Sequence, residues 1–193
     1  MVKGIGKKVF ILGIGGISLS SIARILKNAG HEVSGYDKVL NEQVEKLIDS
    51  GFNVVVGKSC NEDIILADTV IFTSAIREDC LELATAKQFN IQILTRAEAL
   101  FLISESFDEV VAVAGSHGKT TTTAMLSSVL NCLDNFTAHV GGVVSELESN
   151  TIINGNGGVF LTEACEYKRN FLKLMPTISV ILNMDLDHID CYK

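Results

Sequence analysis

Apolar residues recur along this chain in two alternating rhythms. Residues 8–12 (KVFIL) form a short apolar run that ends at glycines, the pattern of a strand buried on both faces. Ile17, Ile22, Ile25 and Leu26 then follow helical spacing over residues 17–28, and the run stops before Gly30. The same rhythm predicts strands at 31–36, 53–56, 69–73 and 91–94, and helices at 43–49, 81–88 and 97–103. This β-α-β-α order predicts a parallel sheet with helices on its faces. Residues 104–109 (SESFDE) are polar and acidic, and place the expected domain boundary there, between 1–106 and 107–193. Beyond it the pattern restarts, with a strand at 110–114, a loop at 115–118, a helix at 119–132 and strands at 159–162 and 179–182.

Two of the predicted strand-to-helix corners carry glycines. After KVFIL come Gly13, Ile14, Gly15, Gly16, Ile17 and Ser18. Glycines there let the backbone turn tightly and approach a diphosphate at a helix N-terminus, and Asp37 ends the next strand where dinucleotide folds place a ribose-binding acid. Ser18 occupies the position of the third glycine of G-x-G-x-x-G. Taken alone this half suggests a dinucleotide such as NAD, with a plain strand-turn-helix corner as the alternative.

The second corner is more specific. Gly115, Ser116, His117, Gly118, Lys119, Thr120 and Thr121 follow the apolar run VVAVA and open a helix. In such a G-x-x-G-K-T loop, successive N–H groups form a nest for phosphates, the lysine reaches the β- and γ-phosphates and the threonine hydroxyl ligates Mg²⁺. The usual spacing wants glycine at 113, where Val113 stands. Two further strands end in chemistry-bearing residues. GVFLTE runs into Glu163, well placed for Mg²⁺ beside a phosphate loop, and ISVILN leads to Asp185, Asp187, His188 and Asp190. Those last charges read equally as a solvated first helical turn, and His188 as a surface histidine.

Composition narrows the field. Hydrophobic residues at 47% and charged residues at 20% belong to a folded α/β protein rather than a disordered chain. A net charge of -7 argues against a general nucleic-acid binder, which needs a basic face. Five cysteines without a C-x-x-C pair fit neither a disulfide framework nor a zinc ribbon, and suit a reducing cytoplasm. No signal-like segment and no run near the roughly 20 apolar residues of a membrane helix is seen.

The stretches FILGIGGISLSSIARIL, GHEVSGYD, TSAIRED, TRAEAL, AGSHGKTTTTAML, HVGG, EACEYKRNFLKLMP and ILNMDLDHIDCY together resemble the Mur ligases, in order and spacing, across essentially all 193 residues. GIGG with GHEVSGYD points to the alanine-adding branch. The resemblance implies an α/β architecture: a Rossmann-like parallel-sheet domain that binds UDP-sugar, then a P-loop ATPase-type α/β domain, here truncated. It implies ATP-dependent ligation of L-alanine to the carboxylate of UDP-N-acetylmuramic acid through an acyl phosphate, with ATP and Mg²⁺ as cofactors. By that resemblance Lys119 stabilises the transferring phosphoryl group, Thr120 and Glu163 hold one Mg²⁺, and His188 helps hold a second. Gly13 to Ser18, Asp37 and Thr73, Ser74 and Ala75 hold UDP-sugar rather than NAD. The chain departs from the family at Cys165 and Lys168, where members often have Asp. Members continue past the DH-x-D segment into a C-terminal amino-acid-binding domain, so these residues are expected to bind substrate without completing catalysis. A peptide-recycling or later amino-acid-adding ligase, and a non-catalytic nucleotide-binding module, are the alternatives.

Overall fold

The computed structural model describes residues 1–185 except 58–59, 74, 78, 145–148, 156 and 166. Its contacts divide the chain into two compact units, Met1–Leu102 and Ile103–Lys193.

In the first unit β1 (Lys8–Leu12), β2 (Glu32–Asp37), β3 (Asn53–Val56), β4 (Thr69–Phe72) and β5 (Gln92–Thr95) form one five-stranded sheet. Every pairing is parallel, and the order is β3-β2-β1-β4-β5. Parallel strands need crossovers, which α1 (Ile17–Asn28), α2 (Glu42–Asp49), α3 (Asn61–Ile65) and α4 (Leu81–Gln88) supply, with α5 (Arg96–Ser104) after β5. The apolar runs sit where their pattern placed them: Ile11, Ile14, Leu26, Val70 and Ile71 are fully buried. Burying each such side chain contributes about 1.5–3 kcal/mol. The short α3 was not foreseen; its five residues hold little more than one helical turn and bury only Ile64.

Three helices hand the chain back to the sheet by one device. After α1 the His31 N–H reaches Leu26 O and the Gly30 N–H reaches Lys27 O. Phe52 with Gly51 repeats this after α2, and Ile91 with Asn90 after α4. This is the Schellman arrangement, and it needs a left-handed residue at the turn. Gly30 (φ 92), Gly51 (φ 74) and Asn90 (φ 53) provide it.

His31 also anchors the N-terminal segment. It is 4% exposed, its Nδ1 faces Gly6 O at 2.8 Å, and its Nε2 accepts the Val2 N–H at 2.9 Å. That pair of partners requires the neutral ring. Burial, the largest effect, pushes its pKa below the ordinary value, outweighing the Gly6 bond, which favours the proton. With the folded pKa depressed, the unfolded chain binds the proton more readily. The stabilisation is complete above the unfolded pKa of about 6.5 and is lost as pH falls below it. The melting temperature is therefore expected to drop between about pH 7.5 and about pH 5.5, and less steeply in His31→Gln. Equal slopes in the two proteins would remove His31 from the pH response.

The second unit is a mixed sheet of order β10-β6-β9-β7-β8. Here β6 (Glu109–Ala114), β9 (Val159–Glu163) and β10 (Ile178–Ile181) are parallel. The antiparallel hairpin of β7 (Phe136–Val144) and β8 (Ser149–Asn154) was not predicted. The β7 sequence FTAHVGGVV interrupts its alternation with two glycines, and the register shifts between His139 and Val144. On its other side β7 pairs in parallel with β9, Phe136 opposite Val159 and His139 opposite Thr162. Helix α6 (Lys119–Leu130) packs on the sheet, and a 3-10 helix covers Tyr167–Lys173. Val113, Phe136, Ala138, Val140 and Leu161 make the core beneath.

Candidate functional sites

In the first unit the strand-turn-helix corner is built from backbone bonds. The N–H groups of Gly13 and Ile14 both donate to Tyr36 O, at 2.8 and 3.1 Å, and the Gly16 N–H donates to Gly13 O at 3.0 Å. Gly13 takes φ 77, a left-handed value that disfavours a side chain. Gly15 is glycine for space: an added Cβ meets Val44 Cγ2 at 2.5 Å and Asp37 Oδ2 at 2.8 Å. Gly16 starts α1 with no side-chain cap, so the first amides of the helix are left to other acceptors.

Each residue named for this loop takes a distinct part. Asp37 Oδ2 accepts the Gly15 N–H at 2.8 Å and Oδ1 the Val39 N–H at 3.2 Å. The carboxylate thus pins the glycine loop itself, with both oxygens accepting backbone N–H groups. Ile14 is fully buried and serves the core, whereas Ile17 is exposed beside the helix start. Thr73 turns the chain after β4: its carbonyl accepts the Ile76 N–H and its hydroxyl the Ala75 N–H at 3.5 Å. Ser74 lies outside the described residues.

Arg96 was not singled out from sequence. Thr95 and Glu98 form a reciprocal cap: Glu98 Oε2 accepts from the Thr95 N–H at 2.8 Å and hydroxyl at 2.7 Å, and the Glu98 N–H reaches Thr95 Oγ1 at 3.3 Å. This capping box fixes Arg96 at the first helical position of α5. Its Nη1 then donates to Ser18 Oγ at 3.2 Å, setting a guanidinium beside the glycine loop. The T-x-x-E spacing in TRAEAL was the available signal; the neighbour 78 positions away was not.

In the second unit Val113 is fully buried inside β6, and the Ala164 N–H donates to its carbonyl. The loop therefore begins only at Gly115 (φ 148) and closes at Gly118 (φ 83), the N-cap of α6. No side chain caps that helix, so its N-terminus is open to an anion. Lys119 Nζ donates to Gly115 O and, at 3.3 Å, to Ser116 O. His117, Thr120 and Thr121 are exposed around it.

Glu163 and Thr120 come together across the sheet edge. Thr120 Oγ1 donates to Glu163 Oε2 at 3.2 Å, and Glu163 Oε1 accepts the Gly141 N–H at 2.7 Å. The glycine pair of HVGG makes this approach possible. An added Cβ at Gly141 falls 2.5 Å from Glu163 Oε2, and one at Gly142 falls 2.8 Å from Thr120 Cγ2. Two hard oxygen donors 3.2 Å apart suit Mg²⁺, which takes few protein ligands and keeps waters and phosphates. His188 lies outside the described residues, and among the described residues no group of three His, Cys, Asp or Glu side chains forms a metal cluster.

Fold and sites together define a two-unit α/β protein with a glycine-rich loop at the C-terminal edge of each sheet, the second of sequence G-x-x-G-K-T. Residues 8–108 match the Mur ligase family catalytic domain and residues 113–193 the Mur ligase middle domain. The chain belongs to the Mur ligase family. It is 43% identical over 194 residues to the UDP-N-acetylmuramate–L-alanine ligase of Clostridium perfringens, covering 100% of this chain and 42% of that protein. The same-named protein of Caldicellulosiruptor bescii is 46% identical over 188 residues, covering 96% and 41%. This chain thus spans less than half the length of these relatives. Among solved structures, the UDP-N-acetylmuramate–alanine ligase of Thermotoga maritima aligns at TM-score 0.83 and 28% identity, over 96% of this chain and 43% of that one. The UDP-N-acetylmuramate:L-alanyl-γ-D-glutamyl-meso-diaminopimelate ligase of Neisseria meningitides aligns at 0.85 and 26%, over 97% and 63%.

Proposed function

We propose that this chain carries the UDP-sugar-binding and ATP-binding portions of a ligase that joins L-alanine to the carboxylate of UDP-N-acetylmuramic acid. The observation that carries the reading is the 43–46% identity to alanine-adding ligases across the chain, set beside a phosphate loop whose Thr120 meets Glu163. The first unit, Met1–Leu102, holds the UDP-sugar and the second, Ile103–Lys193, the nucleotide, with the boundary a few residues before the 106/107 division expected from sequence. The diphosphate lies over the Gly13 to Ser18 loop, its charge met by the α1 N-terminus and by Arg96, with Asp37 and the Thr73 turn bounding the site. NAD fits less well, because Ser18 replaces the third glycine and Asp37 is already engaged with the loop.

In the second unit the α6 N-terminus and Lys119 receive the β- and γ-phosphates, with Lys119 exchanging loop carbonyls for phosphate oxygens. Thr120 and Glu163 would hold Mg²⁺ and His188 would help hold a second, and the bound metal would supply positive charge that offsets repulsion between carboxylate and γ-phosphate. A muramoyl carboxylate oxygen attacks the γ-phosphorus and ADP leaves. The alanine amine then attacks the acyl carbon, and phosphate leaves as the amide forms. A cytoplasmic location fits these substrates, and free Cys60, Cys80, Cys132 and Cys165 support that reading. Among the described residues no helix is long and apolar enough to cross a membrane.

Calorimetric titration of the 193-residue chain tests this directly. UDP-N-acetylmuramate is expected to bind with one site per chain, and NAD to give no heat of binding. NAD binding without UDP-sugar binding would sink the assignment of the first unit.

A further inference from the structure

We propose that Asn183 is a positioning residue for the phosphate loop, holding the His117 peptide in the orientation that lets the helix N-terminus receive phosphate. The proposal rests on the reading of residues 115–121 as a nucleotide site.

Asn183 follows β10, two residues past its last paired position. Its Oδ1 accepts the His117 N–H at 2.9 Å, and its Nδ2 donates to His117 O at 3.0 Å. The carboxamide therefore engages the same loop residue in both directions, as a neighbouring strand would. Around it the Ser116 N–H donates to Asn183 O at 3.3 Å, and the Asp185 N–H donates to Ser116 Oγ at 2.9 Å. The chain after β10 lies close over the loop, since a Cβ on Gly115 meets Leu182 Cβ at 3.1 Å.

The loop needs this brace because of its own residues. Gly115 and Gly118 flank Ser116 and His117, and both take positive φ. Glycine rotates freely on either side of φ 0, so the peptides between can flip at small cost. A flipped His117 peptide turns a carbonyl oxygen toward an incoming anion in place of N–H groups. In this structure Lys119 takes the carbonyls of Gly115 and Ser116, and Asn183 takes that of His117. Lys119 is expected to leave its carbonyls when a phosphate arrives, whereas Asn183 can keep its grip. The His117 carbonyl is thus committed to Asn183 before an anion arrives and stays so after Lys119 has moved.

The test titrates Mg·ATP into the 193-residue wild type, N183A, N183D and K119A, with UDP-N-acetylmuramate titrated into the same samples. N183A is expected to weaken Mg·ATP by about tenfold, from two lost hydrogen bonds. N183D is expected to weaken it further at about pH 7.5, because a carboxylate cannot donate to His117 O and repels phosphate. N183D keeps the size and one acceptor of asparagine, so its loss reports the missing donor to His117 O and the added charge rather than a cavity. UDP-sugar affinity, which belongs to the other unit, is expected to stay unchanged. N183A or N183D binding Mg·ATP within about twofold of wild type overturns the proposal. If N183A loses both ligands it has unfolded, and N183D alone decides: UDP-sugar binding kept with Mg·ATP weakened supports the proposal, and both kept overturns it. Loss in K119A with none in N183A defeats Asn183 only. No loss in either variant defeats the nucleotide site and the proposal with it.

Discussion

Lys119→Ala is expected to lower ATP-dependent turnover by at least about a hundredfold while UDP-sugar binding is unchanged. Removing one preorganised donor from a developing negative charge typically costs that much, and a lysine also contributes full charge to the transferring phosphoryl group. Lys119 opens α6 at the site where the uncapped helix end already favours an anion, so its ammonium and the helix amides act on the same phosphates. The separation of effects follows from the architecture, because Lys119 belongs to the second unit and the Gly13 to Ser18 loop to the first. The assay measures phosphate release by the polypeptide encoded by the whole open reading frame that contains this chain, beside a UDP-N-acetylmuramate titration. Turnover within a few-fold of wild type removes Lys119 from the mechanism. Arginine is not a conservative replacement, since its planar fork cannot fold back onto the two loop carbonyls as a compact ammonium does.

Glu163→Ala is expected to raise the Mg²⁺ concentration needed for half-maximal turnover by at least about tenfold and to reduce the maximal rate. Glu163 supplies one of the two oxygens that meet at 3.2 Å, and the other, a neutral hydroxyl, is the weaker partner for a hard cation. Gly141→Ala separates charge from position. It leaves the carboxylate in place chemically, but its Cβ falls 2.5 Å from Glu163 Oε2 and must push that oxygen aside. The variant is therefore expected to show the same rise in Mg²⁺ requirement, in smaller measure, with the maximal rate largely recovered at saturating Mg²⁺. Turnover in both variants with unchanged Mg²⁺ dependence would show that Glu163 holds no metal. A stable fold in each is checked by the melting temperature, since Gly141 and Glu163 also tie β7 to β9.

Much of this protein was legible in its sequence, and for a local reason. Strand 8–12, helix 17–28 and the two glycine corners are each set by contiguous residues: an apolar run, a 3.6-residue period, a glycine where the chain turns. The parallel character of the first sheet followed from helices alternating with strands, because parallel neighbours need a crossover. The same locality explains the misses. β7 and β8 are defined by pairing Phe136 with Asn154 and Thr137 with Ile153, and their glycines and terminal polar residues hide that pairing from any short window. Val113 broke the expected phosphate-loop spacing in sequence; its place inside β6 shows why, since the loop starts two residues later.

The sites divide in the same way. Sequence named Lys119, Thr120 and Glu163 from their own surroundings, a phosphate loop and a strand end. That Glu163 meets Thr120 across 43 positions was decided by the parallel register of β6 with β9 and by the space left at Gly141. Arg96 reaches Ser18 across 78 positions because a capping box sets the start of α5. Asn183 reaches His117 across 66 because β10 pairs with β6 and carries the chain past the loop. A residue type can be read from its neighbours in sequence. The partner of its side chain depends on which strand ends share an edge, and only the packed sheet determines that.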